Sequence, residues 1–166
     1  MPSPRIHREE NQHPYFLTFT VHRWYYLFDR HGRWEILLNS LKYCQQHKGL
    51  KVYNWVFMLN HIHLVVSSPD VIGFVRDFKR FTTKALKENI EQTEGNILKL
   101  FLEKGKYQFW KSDNMPELIK SREFYMTKAK YVEDNPVKKG YVRLPEHWVY
   151  SSANRNEPLL DLGNPR

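Results

Sequence analysis

Cysteine is all but missing, with Cys44 the only one among 166 residues. A single thiol cannot build a disulfide framework or a cysteine-based zinc site within one chain, so a reducing, cytoplasmic setting is expected. Long apolar runs are missing too: no stretch approaches the roughly 20 residues needed to cross a bilayer. The opening Met1-Pro-Ser-Pro-Arg-Ile-His-Arg-Glu-Glu10 has no apolar core of the kind a secretory signal needs. The expectation is a protein neither exported by that route nor embedded in membrane. Internal repeats and low-complexity segments are absent as well. Acidic residues are the minority, 18 against 26 Lys and Arg, which leaves a formal charge of +8. With aromatic residues at 15%, a basic surface and rings able to stack are both available for a polyanion, nucleic acid first. Charge by itself leaves a basic protein without such a partner equally open.

The length fits one domain large enough to bury a core. Residues 15–21 alternate as a half-buried strand, with Leu17, Phe19 and Val21 on one face and Thr18 and Thr20 on the other. From about 30 to 47, Trp34, Leu37, Leu38, Leu41 and Cys44 recur at helical spacing up to a Lys48-Gly49 stop. Two strands, 51–58 and 61–67, are separated only by Leu59-Asn60, the mark of a tight hairpin. A second helix is predicted over 71–89, a loop with a short helix over 91–106, and a fourth strand near 107–119 that Pro116 would confine to an edge or a bulge. The last helix, about 121–134, starts at a Ser121 cap, carries Tyr125, Ala129 and Val132 inward, and is expected to stop at Asn135 because Pro136 follows. Strand-helix-strand-strand-helix is half of a ferredoxin-like layout. The domain is placed at 1–153, with 154–166 as a flexible tail.

His61 and His63 open the third strand, and strand alternation points both the same way while Ile62 points into the other layer. Two imidazoles converging on one cation is one reading, and two partly buried, hydrogen-bonded rings is the other. Helical spacing sets Tyr131 beside Asn135, but Tyr43 has His47 and Tyr150 has Asn154 at the same interval, so spacing leaves three tyrosines open. Arg76, Arg80, Lys84 and Lys87 share one helix face. Such a stripe is either a solvated surface or a phosphate contact, and its single sign favours the second. Phe109, Trp110, Trp148 and Tyr150 are candidates for stacking on unpaired bases, with core packing as the alternative.

Trp55-Val-Phe-Met-Leu-Asn-His-Ile-His-Leu-Val-Val66, then Tyr131-Val-Glu-Asp-Asn-Pro-Val-Lys-Lys-Gly-Tyr-Val142, then Trp148-Val-Tyr-Ser-Ser152, resemble the REP-associated tyrosine transposases in order and spacing over roughly residues 13–153. These are a branch of the single-tyrosine, IS200-like transposases within the HUH (His-hydrophobe-His) endonucleases. The resemblance implies an α+β, ferredoxin-like four-stranded antiparallel sheet with the His strand central and the tyrosine helix across its histidine face. It selects Tyr131 as the nucleophile and His61, His63 and Asn135 as ligands of a divalent metal, Mg²⁺ or Mn²⁺. It further implies cleavage and strand transfer of single-stranded DNA through a 5′-phosphotyrosine intermediate. Hairpin-forming repeats would be the substrate, met by Arg76, Arg80, Lys84, Lys87, Trp148 and Tyr150. Whether a monomer or a homodimer acts is left open, and a catalytically inactive repeat-DNA-binding module is the alternative. Two departures stand out: Leu59 replaces the family's usual Pro, and Ser112–Ile119 matches the expected fourth strand poorly. Asn135, where self-mobilising relatives carry Gln, favours the repeat-associated branch.

Overall fold

The computed structural model describes residues 5–164; the first four residues of the expected domain and the last two of the expected tail lie outside them. Strand β1, Tyr15–Thr20, is buried at all six positions, so both of its faces are covered. Tyr15, Leu17 and Phe19 enter the larger core with Ile62, Leu64 and Val66, while Phe16 and Val65 belong to a second core on the opposite face. The period of two in the sequence thus becomes two layers.

Strands β2 (Lys51–Phe57) and β3 (His61–Ser67) form the expected hairpin. Met58 N–H bonds to His61 C=O at 2.8 Å across the Leu59-Asn60 turn. Two short strands, β4 (Leu102–Glu103) and β5 (Lys106–Tyr107), make a separate ribbon, and β6 (Glu117–Leu118) completes the main sheet. The antiparallel order β2-β3-β1-β6 is ferredoxin-like and places the histidine strand inside the sheet. Helices α1 (Arg33–His47) and α2 (Val71–Thr93) pack on the larger core, and α3 (Arg122–Lys138) covers the other face.

Three boundaries differ from expectation. The fourth strand is two residues long instead of most of 107–119. Ahead of it the chain meets β1 through Lys111 N–H to Thr20 C=O at 2.8 Å and Thr18 N–H to Asn114 C=O at 2.9 Å, and bridges Val21 just past the strand through Trp110. Met115 then turns left-handed at φ 46° and Pro116 has no N–H to offer, so a continuous ladder cannot form. Helix α3 does not stop at Asn135. Pro136 lies in its last turn, where the chain still closes: Lys139 N–H reaches Asn135 C=O, Gly140 N–H reaches Val137 C=O, and Tyr141 N–H reaches Pro136 C=O. Gly140 at φ 76° makes this Schellman closure, which outweighs the preference of a residue before proline for extended backbone.

The third difference is the segment expected as a flexible tail. Its described part, 154–164, is laid against the domain, with Leu160 buried in the larger core and Gly163 N–H bonded to Val52 C=O at 2.8 Å. Just before it, Phe57 N–H bonds to Tyr150 C=O and Ser152 N–H to Trp55 C=O. The outer edge of β2 is thereby covered, as an edge strand must be to avoid pairing with another chain.

Candidate active site

The register of the sheet builds the site. His61 stands opposite Thr20 and His63 opposite Thr18, all on the α3 side. Both histidines are buried, at 8% and 5% exposure, and their ring centres are 4.8 Å apart at 73°. His61 Nδ1 donates to Asn60 Oδ1 at 2.8 Å, and an amide oxygen only accepts, so the proton is on Nδ1 and Nε2 keeps its lone pair. Thr18 Oγ1 takes Nδ1 of His63 at 3.0 Å, and Phe16 stacks on that ring at 5.3 Å. Each imidazole is therefore held at Nδ1 with Nε2 as its free nitrogen.

Both rings are neutral well below pH 7. Burial, the charge of Lys139 against it and the opposing pull of the Asn135 amide bring His61 to about 4. Burial first, then the charges of His61 and Lys128, bring His63 to about 3. Neutral imidazole is the form that ligates a cation.

Helix α3 carries the remaining parts. The Tyr131 ring centre is 5.3 Å from His63 and 5.8 Å from Phe16, and the side chain is 39% exposed. One turn on, the Asn135 amide lies beside His61, and its buried Oδ1 has no hydrogen-bond partner. A buried acceptor without a donor is unfavourable by roughly 1–3 kcal/mol. It is explained if a cation takes that lone pair together with the two imidazoles. The residues fit a divalent metal on this ground. Among the described residues no group of three His, Cys, Asp or Glu is placed to hold one, and the donor set here is two nitrogens and an amide oxygen.

Tyr43 packs on His47 and Phe81, within the α1 and α2 layer. Tyr150 stacks on Trp34 at 4.6 Å and donates to Glu35 Oε1 at 2.6 Å, and burial with that carboxylate pushes its hydroxyl up to about 12. Of the three tyrosines that share the spacing, Tyr131 is the one whose ring meets the histidines.

The expected phosphate contacts on α2 are placed apart from this centre, whereas Trp148 packs on the same layer as the histidines. The stripe on α2 belongs to the opposite layer, and Arg76 and Arg80 both reach Asp77, at 3.0 and 3.5 Å, beside Lys48. The pairing holds the Asp77 carboxyl far below the usual range. Lys87 lies 3.6 Å from Glu91, and Lys84 is exposed. Trp148 is half-buried, its Nε1 donating to Phe57 C=O at 2.9 Å and its face on Tyr141. Phe109 and Trp110 are core residues and are not presented to bases. The sequence reading missed the lysines around Tyr131: Lys128 and Lys138 hold their ammonium groups 5.6 and 5.4 Å from its ring centre. Lys138 and Lys139 stood in the motif itself; their place at the site depends on α3 continuing through Pro136.

The model of the family described as "Transposase IS200 like" matches residues 11–134, most of the chain, including His61, His63 and Tyr131 and ending one residue before Asn135. The chain belongs to the IS200-like transposase family. A solved structure of a REP-associated tyrosine transposase bound to a REP hairpin matches with a TM-score of 0.71 at 19% identity, covering 99% of this chain and 93% of that one. At that identity the likeness speaks for the fold, and the fold of this IS200-like transposase is that of the HUH endonucleases. No curated protein matches the chain. Among the described residues no helix is long and apolar enough to cross a membrane.

Proposed function

We propose that this chain is a metal-dependent single-strand DNA endonuclease and strand transferase of the REP-associated type, with Tyr131 as nucleophile. The observation that carries the reading is Tyr131 and Asn135 on one turn of α3, the first against His63 and the second beside His61 with an orphaned oxygen. His61, His63 and Asn135 would hold Mg²⁺ or Mn²⁺, and a bound cation supplies charge stabilisation to the non-bridging oxygens of the scissile phosphate. Neutral ligands leave the full charge of that ion available.

Tyr131 Oη attacks phosphorus, the bond to the 3′ oxygen breaks, and a 5′-phosphotyrosine and a free 3′ hydroxyl result. The phenol proton lost in attack is balanced by the proton the 3′ oxygen gains. A 3′ hydroxyl attacking the phosphotyrosine reverses the step, which is strand transfer without an external energy source. Lys138, at the Tyr131 ring and without an acidic partner among the described residues, favours a phosphate arriving there, while Lys128 at the same ring is paired with Glu117 at 2.6 Å. The fold it shares with a transposase solved on a REP hairpin supports hairpin DNA as the partner. Phosphate contacts of Arg76, Arg80, Lys84 and Lys87 and base contacts of Trp148 and Tyr150 belong to the same proposal.

Tyr131→Phe keeps the ring and its packing and removes one oxygen. Denaturing gels with single-stranded DNA and Mn²⁺ should show an adduct with wild type and none with Tyr131→Phe, while DNA binding persists. His61→Ala should abolish the adduct too, and Mn²⁺ should raise the melting temperature of wild type but not of His61→Ala. Wild type that binds DNA and forms no adduct would favour the inactive repeat-binding module. An adduct that survives Tyr131→Phe and disappears in Tyr43→Phe or Tyr150→Phe would reassign the nucleophile.

A further inference from the structure

Arg23 and Trp24 are consecutive non-glycine residues in the left-handed region, at φ 54° and 59°. Residues with a Cβ avoid that region, and backbone held there tends to gather where the protein uses it. The surroundings hold it firmly. Glu103 accepts from His22 Nε2 at 2.9 Å and from Arg23 Nη2 at 2.7 Å, and Tyr25 packs on Phe101. With the backbone held so, Tyr25 packs on the core while Trp24 and Tyr26 face solvent at 54% and 60% exposure. Lys111 sets its ammonium 4.1 Å from the centre of the indole.

This ring belongs to the same corner of the molecule as the histidines. Asn60 donates from Nδ2 to Trp24 C=O at 3.2 Å and accepts at Oδ1 from His61 Nδ1. Lys111 N–H bonds to Thr20, whose partner across β1 and β3 is His61. Beside Arg23, the residue before Trp24, lies a cleft lined by His22, Arg23, Glu103, Lys104, Lys106 and Gln108, in which Glu103 offsets part of the charge of Arg23 and leaves Lys104 and Lys106 as its other cations. An exposed indole backed by one cation and bordered by others suits a ligand in which flat rings alternate with phosphates. An apolar protein partner would be met by aliphatic neighbours, whereas the group set on the Trp24 ring is the Lys111 ammonium.

We propose that Trp24, backed by Lys111, is the stacking platform for an unpaired DNA base next to the phosphate that Tyr131 attacks, with Arg23, Lys104 and Lys106 meeting the adjoining phosphates. The assignment rests on the strand-transferase reading above and adds where the flanking single strand lies.

The test compares binding of the full chain to an oligothymidylate of about twelve nucleotides and to an abasic oligomer of the same length, which keeps the phosphates and lacks the rings. Wild type should prefer the first. Trp24→Ala should lose about tenfold in affinity for oligothymidylate and little for the abasic oligomer, the order expected for one base on one ring. Trp24→Phe should keep most of the affinity while losing the quenching of tryptophan fluorescence that oligothymidylate causes in wild type. Trp24→Ala binding oligothymidylate as wild type does, or losing both oligomers equally, would overturn the platform; with the Tyr131 adduct still forming, the parent reading would stand. Wild type binding neither oligomer would overturn both.

Discussion

His61 and His63 occupy positions where a side chain that titrates near pH 6.5 in the unfolded chain is kept neutral in the fold. The folded-state values, about 4 and about 3, are depressed, so their contribution to stability is complete above pH 6.5 and is lost as pH falls. Between pH 6.5 and about 4 the unfolded chain takes up protons that the fold refuses at both sites. Stability of the metal-free protein should therefore fall by up to about 1.4 kcal/mol per pH unit for each of the two histidines. Urea midpoints at pH 7 and pH 5, in the presence of a chelator, measure this. His63→Gln should show a shallower dependence, and a midpoint indifferent to pH in the wild type would mean the rings are solvated. The same neutrality serves the proposed chemistry, because an imidazole that is never protonated at working pH never competes with a cation for its own lone pair.

At the level of elements, the C-terminal turn of α3 shows how a local feature sets the site. Gly140 terminates the helix at φ 76°, and a Cβ there would meet nothing within 4 Å, so only the backbone opposes a side chain. Gly140→Ala should destabilise by about 1 kcal/mol and Gly140→Asn by less, since Asn tolerates the left-handed region better. Thermal denaturation of the pair checks the order; a loss in Ala that Asn shares in full would place the effect in packing instead. Strand alternation made the two faces of β1 and β3 readable, and with them the side on which the histidines lie. The spacing of Tyr131 and Asn135 was readable as geometry but not as a choice among three tyrosines, which the motif around it supplied. The end of α3 was misread because the rule for a residue before proline is local, whereas the Schellman closure depends on Gly140 and Tyr141, beyond its reach. The fourth strand failed for a related reason: β propensity across 107–119 says nothing of Met115 turning left-handed. The packing of Leu160 is a long-range contact with the core, with no periodic signal in a segment rich in Pro, Gly and Asn. Lys128 and Lys138 gained their meaning only when α3 was laid over β3.

Across the whole molecule, positive charge is divided between two faces of one sheet. On the α3 face, Lys138 and Lys139 follow Asn135 at the histidine end, exposed and with no acidic partner within ion-pair distance among the described residues. On the α2 face, Arg76 and Arg80 both point at Asp77, which already offsets part of their charge, and Lys84 alone of the four stands without an ion pair among the described residues. A polyanion releases counterions in proportion to the phosphates it hands over, so the slope of log affinity against log salt counts the cations in contact, at roughly one unit per contact. If the phosphate attacked by Tyr131 lies over α3, Lys138→Ala with Lys139→Ala should lower that slope by about two units. Arg80→Ala with Lys84→Ala should lower it by about one at most, because Arg80 has an internal carboxylate to satisfy and Lys84 does not. Titrations of hairpin DNA at several salt concentrations decide it. An unchanged slope in the α3 pair together with a two-unit fall in the α2 pair would move the DNA to the far side of the sheet, away from Tyr131, and would leave the histidine site without a substrate.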